Sequence, residues 1–272
     1  MNESGLVDSA RRTAARDAVR GHLAALAVEV DATRRSAGFT AVLDAIASFW
    51  RYSPVNVWLI RRQCPEATLV AGTKVWAELG RAPKPSAAPI GILAFAPGRK
   101  PPFVGVSVFD VSQTRGRALP KLKWVLEGDT KLFKLLERAA ERLKIPVGVL
   151  PANAPVLGLS DGGKIRIRAK LSARQRAATL AHELAHEILH TGAWAKRKRP
   201  LPNDAKEIEA DATAYVVLKA LGLPSAAPTY IAWHGGTGGT IAASMGRIQR
   251  AARRILEAAG VDVLSAGAGG GG

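Results

Sequence analysis

The chain has little cysteine, no long apolar run and a shortage of acidic residues. Its single cysteine, Cys64, cannot form an internal disulfide, and the sequence contains no CxxC or Cys/His cluster that would hold a structural zinc. A chain without paired cysteines is typical of a reducing compartment. We therefore expect a cytoplasmic protein whose fold depends on its apolar core.

Apolar segments near the N-terminus are too short to direct export or to cross a membrane. The chain opens with Met1-Asn2-Glu3-Ser4, which lacks the apolar region of a signal peptide, and the stretch from Leu23 to Val30 is interrupted by Glu29. A membrane-spanning helix needs roughly 20 apolar residues. We expect no leader and no membrane partner.

The shortage of acidic residues makes the chain strongly basic. Lys and Arg number 39 against 22 Asp and Glu, which gives a formal charge of +17 and a pI near 10.7. The excess is +9 in residues 1–125 and +8 in residues 126–272, so it is spread along the chain. Such a charge favours a polyanionic partner, although arginines that serve solubility alone are the alternative.

The segment His182-Glu183-Leu184-Ala185-His186 carries the clearest chemistry. Histidines at positions i and i+4 of a helix lie on one face, so both imidazoles can reach one ion. Glu183 beside the first histidine can accept a proton from a water that the ion activates. The apolar run from Thr179 to His190 predicts a buried helix, and the pattern predicts a zinc hydrolase.

A second helix downstream supplies the candidate third ligand. Glu207 and Asp211 are spaced i, i+4, so Glu207 can bind the ion while Asp211 accepts a hydrogen bond from the outer nitrogen of a ligating histidine. Glu209 points about 200° away around the helix, and we prefer Glu207 for that reason without excluding Glu209. A solvated acidic face is the alternative for the pair.

His190 continues the ladder of histidines but lies too far along the helix to share the ion. At ~1.5 Å per residue it is about 12 Å from His182, so we expect it to pack or to support the site. The residue that stabilises the oxyanion is left open between Tyr215, Tyr230 and His234. Leu189 and Gly192 stand where the three-histidine metzincin pattern requires glycine and histidine, which excludes that pattern.

Alternating helix and strand signals predict an α+β protein with two domains. Predicted helices cover residues 9–36 (ended by Ser36-Ala37-Gly38), 39–52, 55–63, 73–79, 131–144 and 241–259; predicted strands cover 91–97, 104–111 and 147–150, with a hairpin over 157–168 around Asp161-Gly162-Gly163. We predict an amphipathic helix in residues 1–38, a small α+β domain in 39–116, a linker in 117–128, the metal-binding domain in 129–262 and a disordered Gly/Ala tail in 263–272.

Aromatic and basic residues interleave in the N-terminal half, a mixture that suits single-stranded DNA. Exposed rings stack on bases while cations neutralise phosphates. The candidate DNA contacts are Arg51, Tyr52, Asn56, Trp58, Lys74, Trp76, Arg81 and Lys84. The alternative is that Trp50, Trp58 and Trp76 are core residues.

Several of these strings resemble the ArdC-type antirestriction proteins. The resemblance covers roughly residues 39–260. It rests on Tyr52-Ser53-Pro54-Val55-Asn56, Pro65 to Gly72, Trp76, Leu79-Gly80-Arg81, Gly91-Ile92-Leu93, Val108 to Thr114, Ala181 to His186 and Glu207 to Asp211. It implies an N-terminal single-stranded-DNA-binding domain followed by a zincin-like metallopeptidase domain with a small sheet, which binds Zn²⁺ through a gluzincin-like HExxH and a distant glutamate. It also implies protection of a mobile element's incoming DNA from restriction.

Three functions follow as alternatives. The first is a DNA-binding zinc peptidase that cleaves a protein or peptide substrate. The second is a DNA-coating antirestriction protein in which the zinc is structural or vestigial; the intact Glu183 speaks against it, since a structural site needs no base. The third is a regulatory peptidase like the ImmA/IrrE-type proteins that cleave repressors, which leaves residues 39–111 unexplained. The sequence gives no indication of oligomeric state.

Overall fold

The computed structural model describes residues 32–98, 102–119, 129–191, 201–223 and 238–261, together with Asp17. The helices are α1 (Ala32–Ser48), α2 (Pro54–Gln63), α3 (Thr73–Glu78), α4 (Asp129–Arg142), α5 (Ala173–His186), α6 (Asn203–Ala220) and α7 (Gly238–Ala259). The strands are β1 (Val70–Ala71), β2 (Arg81–Pro83), β3 (Ile90–Phe95), β4 (Phe103–Asp110), β5 (Thr114–Gly116), β6 (Val147–Leu150), β7 (Gly158–Ser160) and β8 (Ile165–Arg168). Helices and small sheets are mixed, and the predicted α+β class is confirmed.

Most of the predicted N-terminal helix, most of the predicted linker and the predicted Gly/Ala tail lie outside the described residues. Where the description begins, α1 runs without a break from Ala32 to Ser48, so the helix stop predicted at Ser36-Ala37-Gly38 is wrong. One glycine inside a helix costs about 1 kcal/mol. Helix α1 offsets that cost because it contributes to two apolar cores, with Leu43 and Ile46 in one and Ala45 in the other.

The N-terminal sheet is built around the β3–β4 hairpin. Strand order is β1-β4-β3, and β3 pairs antiparallel with β4 from Ile90 opposite Val108 to Phe95 opposite Phe103. Ile90, Ile92 and Val108 point from one face into the smaller core, which α2 closes. The prediction of both strands, from residues that favour strands bounded by proline and glycine, is confirmed.

Helix α2 covers the outer edge of β3 with two amide side chains. Asn56 donates to the carbonyl of Leu93 at 2.8 Å and accepts from its N–H at 2.9 Å. Gln63 makes the same pair of bonds with Gly91, at 2.8 and 2.9 Å. Each amide replaces the backbone of a missing neighbouring strand, so the edge is blunted against pairing with another chain.

Strands β2 and β5 were not predicted from the sequence. Arg81–Pro83 pairs with Thr114–Gly116, and neither stretch has the β-branched and aromatic content that marks a strand. Gly116, at a φ of +137°, makes the pairing possible: a Cβ there would lie 2.3 Å from the carbonyl oxygen of Gly80. Only glycine allows that approach.

The C-terminal unit packs a second three-stranded sheet against four helices. Strand β8 lies in the centre, parallel to β6 and antiparallel to β7, which leaves β7 at an edge. The hairpin predicted around Asp161-Gly162-Gly163 is confirmed. Ile165 and Ile167 of β8 contact the larger core, whose helical members include Leu136, Leu180 and Val216. None of the described helices has the length and apolar content needed to cross a bilayer.

Asp110 joins β4 to the segment before β1. Its Oδ1 accepts the N–H groups of Thr68 and Leu69 at 2.7 and 2.9 Å, and its Oδ2 accepts that of Ser112 at 2.8 Å. Burial raises the pKa of this carboxyl, but the hydrogen bonds outweigh burial and lower the pKa below the ordinary value of 3.8.

We expect Asp110→Asn to lower the free energy of unfolding by about 1–3 kcal/mol, because the amide cannot accept at both ends. The depressed pKa means that the contribution of Asp110 is present above pH 3.8 and is lost as the pH falls through the lower folded-state value. Urea unfolding at neutral and acid pH measures both effects. Equal stability of the two proteins at neutral pH would contradict this role.

Candidate metal centre

Helix α5 carries the two histidines and starts earlier than predicted. Ser172 caps it by accepting the N–H of Gln175, and the Gln175 side chain accepts the N–H of Ser172. This capping box is visible in the sequence as Ser172-x-x-Gln175 and marks the true start at Ala173. Leu180, Leu184 and Ala185 are fully buried, which fixes the rotation of the helix about its axis.

The structure brings His182, His186 and Glu207 together. The Nε2 atoms of the two histidines are 3.0 Å apart. Oε2 of Glu207 lies 3.4 Å from His182 Nε2, and Oε1 of Glu207 lies 3.4 Å from His186 Nε2. All three potential ligand atoms lie within 4.8 Å of one another. Helix α6 supplies the acid because it packs directly along α5.

These distances suit a tetrahedral divalent ion. Two ligands at ~2.1 Å from zinc in tetrahedral geometry are about 3.4 Å apart, close to the edges of the observed triangle. Two imidazole nitrogens that both present lone pairs at 3.0 Å repel each other unless a proton or a cation lies between them. The donor set of two imidazoles and one carboxylate is one that zinc and neighbouring divalent metals accept.

Asp211 orients His182 from behind. Its Oδ1 lies 2.9 Å from His182 Nδ1, so Nδ1–H donates to the carboxylate and Nε2 keeps a lone pair toward Glu207. Burial lowers the pKa of His182, but the hydrogen bond and charge of Asp211 outweigh it, and the pKa is raised. Burial and the charge of His182 lower the pKa of His186.

Glu183 lies between the metal triangle and the edge strand. A Cβ on Gly158 of β7 would come within 2.6 Å of Glu183 Oε1 and of the Thr179 methyl carbon, so the strand touches the carboxylate through bare backbone. Burial raises the pKa of Glu183 to about 7, against the opposing charge of His182 and with repulsion from Glu207 and Glu187. A carboxylate with such a pKa can both accept and release a proton near neutrality.

Glu209 points away from the triangle. Its carboxylate is fully buried, binds the Arg247 guanidinium of α7 through both oxygens, and lies 3.9 Å from His190 Nε2. Arg247 also donates to Ser244 at 2.7 Å. This ion pair favours Glu207 over Glu209 as the third metal ligand, because the Glu209 carboxylate is already bound to Arg247 on the far side of α6.

His190 ties the two metal-carrying helices together. Burial lowers its pKa to about 4, so the ring is neutral, and its Nε2–H donates to the carbonyl of Lys206 at 3.1 Å. Lys206 immediately precedes Glu207, so this bond holds the start of the ligand-bearing turn. This contact agrees with the expectation that His190 supports the site and does not bind the ion.

A turn of π-helix, Glu187–Thr191, follows α5 and holds the edge strand in place. The buried Glu187 accepts from the hydroxyl of Ser160 at 2.7 Å and from the N–H groups of Gly162 and Gly163 at 2.9 and 2.8 Å. The roles of Glu187, Gly158 and Arg247 were not predicted from the sequence. Their roles depend on contacts between distant segments, and the only local signal was a Gly-Gly turn whose N–H groups needed an acceptor.

The outer edge of β7 is the open wall of the cleft. Arg168 N–H bonds to Leu157 O and Asp161 N–H to Lys164 O, so by antiparallel alternation the backbone groups of Gly158 and Ser160 point away from β8. The cleft has a volume of ≈ 610 Å³ and is lined by Val156 to Ser160, Ala178, Thr179, His182, Glu183, His186, Thr191 and Glu207. It has room for a segment of extended chain.

Of the three oxyanion candidates, only Tyr215 is among the described residues. It lies two turns beyond Glu207 on α6, and its hydroxyl donates to Asp44 of α1 at 2.6 Å. Burial raises its pKa, as does the bond to Asp44. The prediction for Tyr215 is wrong, since its hydroxyl is tied to α1; Tyr230 and His234 lie outside the described residues.

The structure separates the predicted DNA contacts into two groups. Trp76 is fully buried with its Nε1–H bonded to Phe109 O, the Asn56 amide is used on β3, and Arg81 donates to Thr114 and Arg117 within the β2–β5 pair. Trp76 and Asn56 therefore have no surface to offer a base, and the partly exposed Arg81 guanidinium is occupied by its own hydrogen bonds. The others remain wholly or partly accessible: Arg51, Tyr52, Trp58, Lys74 and Lys84. Among these, Tyr52 donates to Val70 O and Lys84 to Ser112 O, both at 2.8 Å.

The comparisons with known proteins agree with a peptidase-like C-terminal region. The family model for the IrrE N-terminal-like domain, Peptidase_M78, matches residues 140–230, which include α5 and α6. No curated protein matches the sequence.

Two crystal structures of the antirestriction protein ArdC from plasmid R388 are similar to the chain. The metal-free structure is 16% identical with a TM-score of 0.44, over 76% of this chain and 84% of that one. The Mn(II)-bound structure is 17% identical with a TM-score of 0.45, over 82% and 98%. The chain is thus similar to an ArdC-type protein, as its sequence predicted.

We expect Arg247→Met to lower the free energy of unfolding by about 3–5 kcal/mol, because it leaves the Glu209 carboxylate buried without a partner. The double variant with Arg247→Met and Glu209→Met should lose clearly less free energy of unfolding than Arg247→Met alone, since no charge is left buried. Urea unfolding of the two single variants and the double variant measures the coupling. Losses that simply add would show that the pair does not act as a unit.

Proposed function

We propose that the chain is a zinc-dependent peptidase that also binds single-stranded DNA and protects incoming DNA of a mobile element from restriction. The observation that carries the peptidase half is the triangle of His182, His186 and Glu207 with the buried Glu183 between it and an open strand edge. A site built only for structure would have no use for an acid or for a cleft beside it.

His182, His186 and Glu207 would hold the ion, with Asp211 fixing the ring of His182. A divalent ion bound there supplies Lewis acidity toward the scissile carbonyl and toward water. Glu183 takes the proton from the attacking water and delivers it to the leaving amine, which its pKa near 7 suits in both directions. Gly158 and Glu187 keep the strand edge in contact with that carboxylate.

The substrate that fits the cleft is an extended segment of protein. Its backbone would pair with the outward N–H and C=O groups of Gly158 and Ser160 and so add a strand to the β7 edge. This arrangement places a peptide bond beside Glu183. Exposed Val156, Leu157 and Leu159 give the neighbouring surface an apolar character.

The DNA-binding half rests on charge and on the sequence resemblance. Residues 39–116 contain nine Lys or Arg and four Asp or Glu, a net charge of +5. Asp44 is paired with Lys219 and Asp110 is buried, so Glu66 and Glu78 are the exposed acids of this region. Such a surface attracts a polyanion. We prefer zinc as the metal because two imidazoles and a carboxylate are donors that zinc accepts. We place the protein in the cytoplasm because its one cysteine has no partner for a disulfide.

A second candidate is a regulatory peptidase that cleaves a repressor, as in the ImmA/IrrE-type proteins. The match of residues 140–230 to the IrrE N-terminal-like domain favours it. It needs the same metal site and the same Glu183 but no affinity for single-stranded DNA. A DNA-coating protein with an inactive metal site would instead bind single-stranded DNA without cleaving peptides. Measurements of peptide cleavage and of DNA affinity distinguish these three functions.

We expect Glu183→Gln to keep metal binding and to lower peptide cleavage by about 10²- to 10⁴-fold, because the amide cannot accept the proton of water. Glu207→Ala should lose metal, and Asp211→Asn should weaken metal affinity about 10- to 100-fold. Metal content after dialysis and cleavage of a quenched peptide library, with and without single-stranded DNA, give the readouts. Glu141→Ala, an exposed acid on α4, is the matched control. Full metal retention in Glu207→Ala would contradict the ligand set.

The affinity for single-stranded DNA should exceed that for duplex and should fall steeply with salt, because each neutralised phosphate releases counterions. Fluorescence anisotropy with a labelled oligonucleotide of about 15 nucleotides, over a salt series, measures both. Glu183→Gln should bind DNA like the wild-type protein. A flat salt dependence would remove the DNA-binding half of the proposal and leave the regulatory peptidase.

A further inference from the structure

A pair of aromatic rings lies at the turn end of the β3–β4 hairpin, where β3 ends and β4 begins. Phe95 is 65% exposed, and among the side chains that the structure describes it is the one exposed aromatic. Phe103 lies directly opposite, with ring centroids 5.5 Å apart and the rings at 69°. Phenylalanine is ordinarily buried in a folded protein, so a ring held open to solvent by a partner suggests a ligand surface.

On the same face of the hairpin, small residues surround the partly buried Leu93 and form a glycine-rich floor. Side chains directly opposite each other share a face, so Gly91, Leu93 and Phe95 line up with Ser107, Gly105 and Phe103. Gly91, Gly105 and Ser107 are exposed, and a Cβ at Gly91 would meet only the Gln63 side chain, at 3.5 Å. Glycine in a strand permits close approach of a ligand to the backbone. We call this surface, formed by residues 91, 93, 95, 103, 105 and 107, the hairpin face.

The hairpin face is flat, open and of nucleotide dimensions. From Gly91 to Phe95 the strand spans about 13 Å at ~3.3 Å per residue, which matches two or three extended nucleotides. On the opposite face, Ile90, Ile92 and Val108 are packed into the core and support the end of the platform at Gly91 and Ser107. The bonds of Asn56 and Gln63 hold its edge.

We propose that the hairpin face is a base-stacking platform for single-stranded nucleic acid, with a base lying on Phe95 and the chain passing over the glycine floor. The proposal rests on the single-stranded-DNA binding proposed above and gives it a location. An exposed ring beside small residues, on a region of net charge +5, suits a ligand with flat apolar bases and negative phosphates. It replaces Trp76, which the sequence suggested for this task and the structure buries.

The test compares variants of Phe95 in the full chain. Phe95→Ala should weaken binding of the labelled oligonucleotide roughly 5- to 100-fold, as loss of one stacked base does. The slope of log affinity against log salt should stay unchanged, because no phosphate contact is removed. Phe95→Leu should weaken binding similarly, whereas Phe95→Trp should restore it and add fluorescence quenching on DNA binding beyond that of the wild-type protein.

Val149→Ala is the matched control, since Val149 is 73% exposed on the other sheet and should not affect DNA affinity. Thermal unfolding checks that Phe95→Ala remains folded, as expected for an exposed position. Wild-type affinity in Phe95→Ala, while the wild-type protein binds single-stranded DNA, would overturn the platform and leave the proposed function standing. Absence of DNA binding by the wild-type protein would remove both.

Discussion

The buried ion pair between Glu209 and Arg247 is the constraint on which the metal site depends. Glu207 and Asp211 lie on one side of α6, and Glu209 lies on the other, held by a guanidinium from α7. Helix α6 cannot rotate about its axis without pulling the Glu209 carboxylate away from the Arg247 guanidinium that compensates its charge, which is costly in a core. The pair therefore fixes the direction in which Glu207 and Asp211 point. The position of the third acid is set by a contact on the far side of its own helix.

The distance between strand β7 and the Glu183 carboxylate is also set by residues that take no part in the chemistry. Glu187 follows His186 on the same helical run, yet its carboxylate reaches across to the turn of the β7–β8 hairpin. Gly158 then lies so close to Glu183 that a methyl group would not fit between them. One helical segment thus holds the two histidines, the acid beside them and the anchor of the strand that faces them. The distance from strand to carboxylate follows from the rigidity of that segment.

The parts of the site that the sequence predicted are those whose geometry is local. The i, i+4 pairs His182 with His186 and Glu207 with Asp211 share a helix face because of helical pitch alone. Strands β3 and β4 were predicted from short runs of strand-favouring residues between proline and glycine. Trp76 and Asn56 were assigned to DNA because composition cannot distinguish an exposed ring or amide from one that a neighbouring strand uses. The helix stop at Ser36-Ala37-Gly38 failed because tertiary burial outweighs a small propensity. Glu187 and Arg247 could not be found, since Gly162 and Gly163 lie 25 and 24 residues from Glu187, and Glu209 lies 38 residues from Arg247.

Helix α1 has a part in both halves of the molecule. Leu43 and Ile46 lie in the core of the C-terminal helices, while Ala45 and Phe49 lie in the core of the N-terminal sheet. On its polar side, Asp44 accepts the hydroxyl proton of Tyr215 and pairs with Lys219, both on α6. The segment that carries Glu207 is therefore packed against a helix that also supports the hairpin face. The N-terminal sheet and α6 both pack against α1, so the two proposed activities share one structural element.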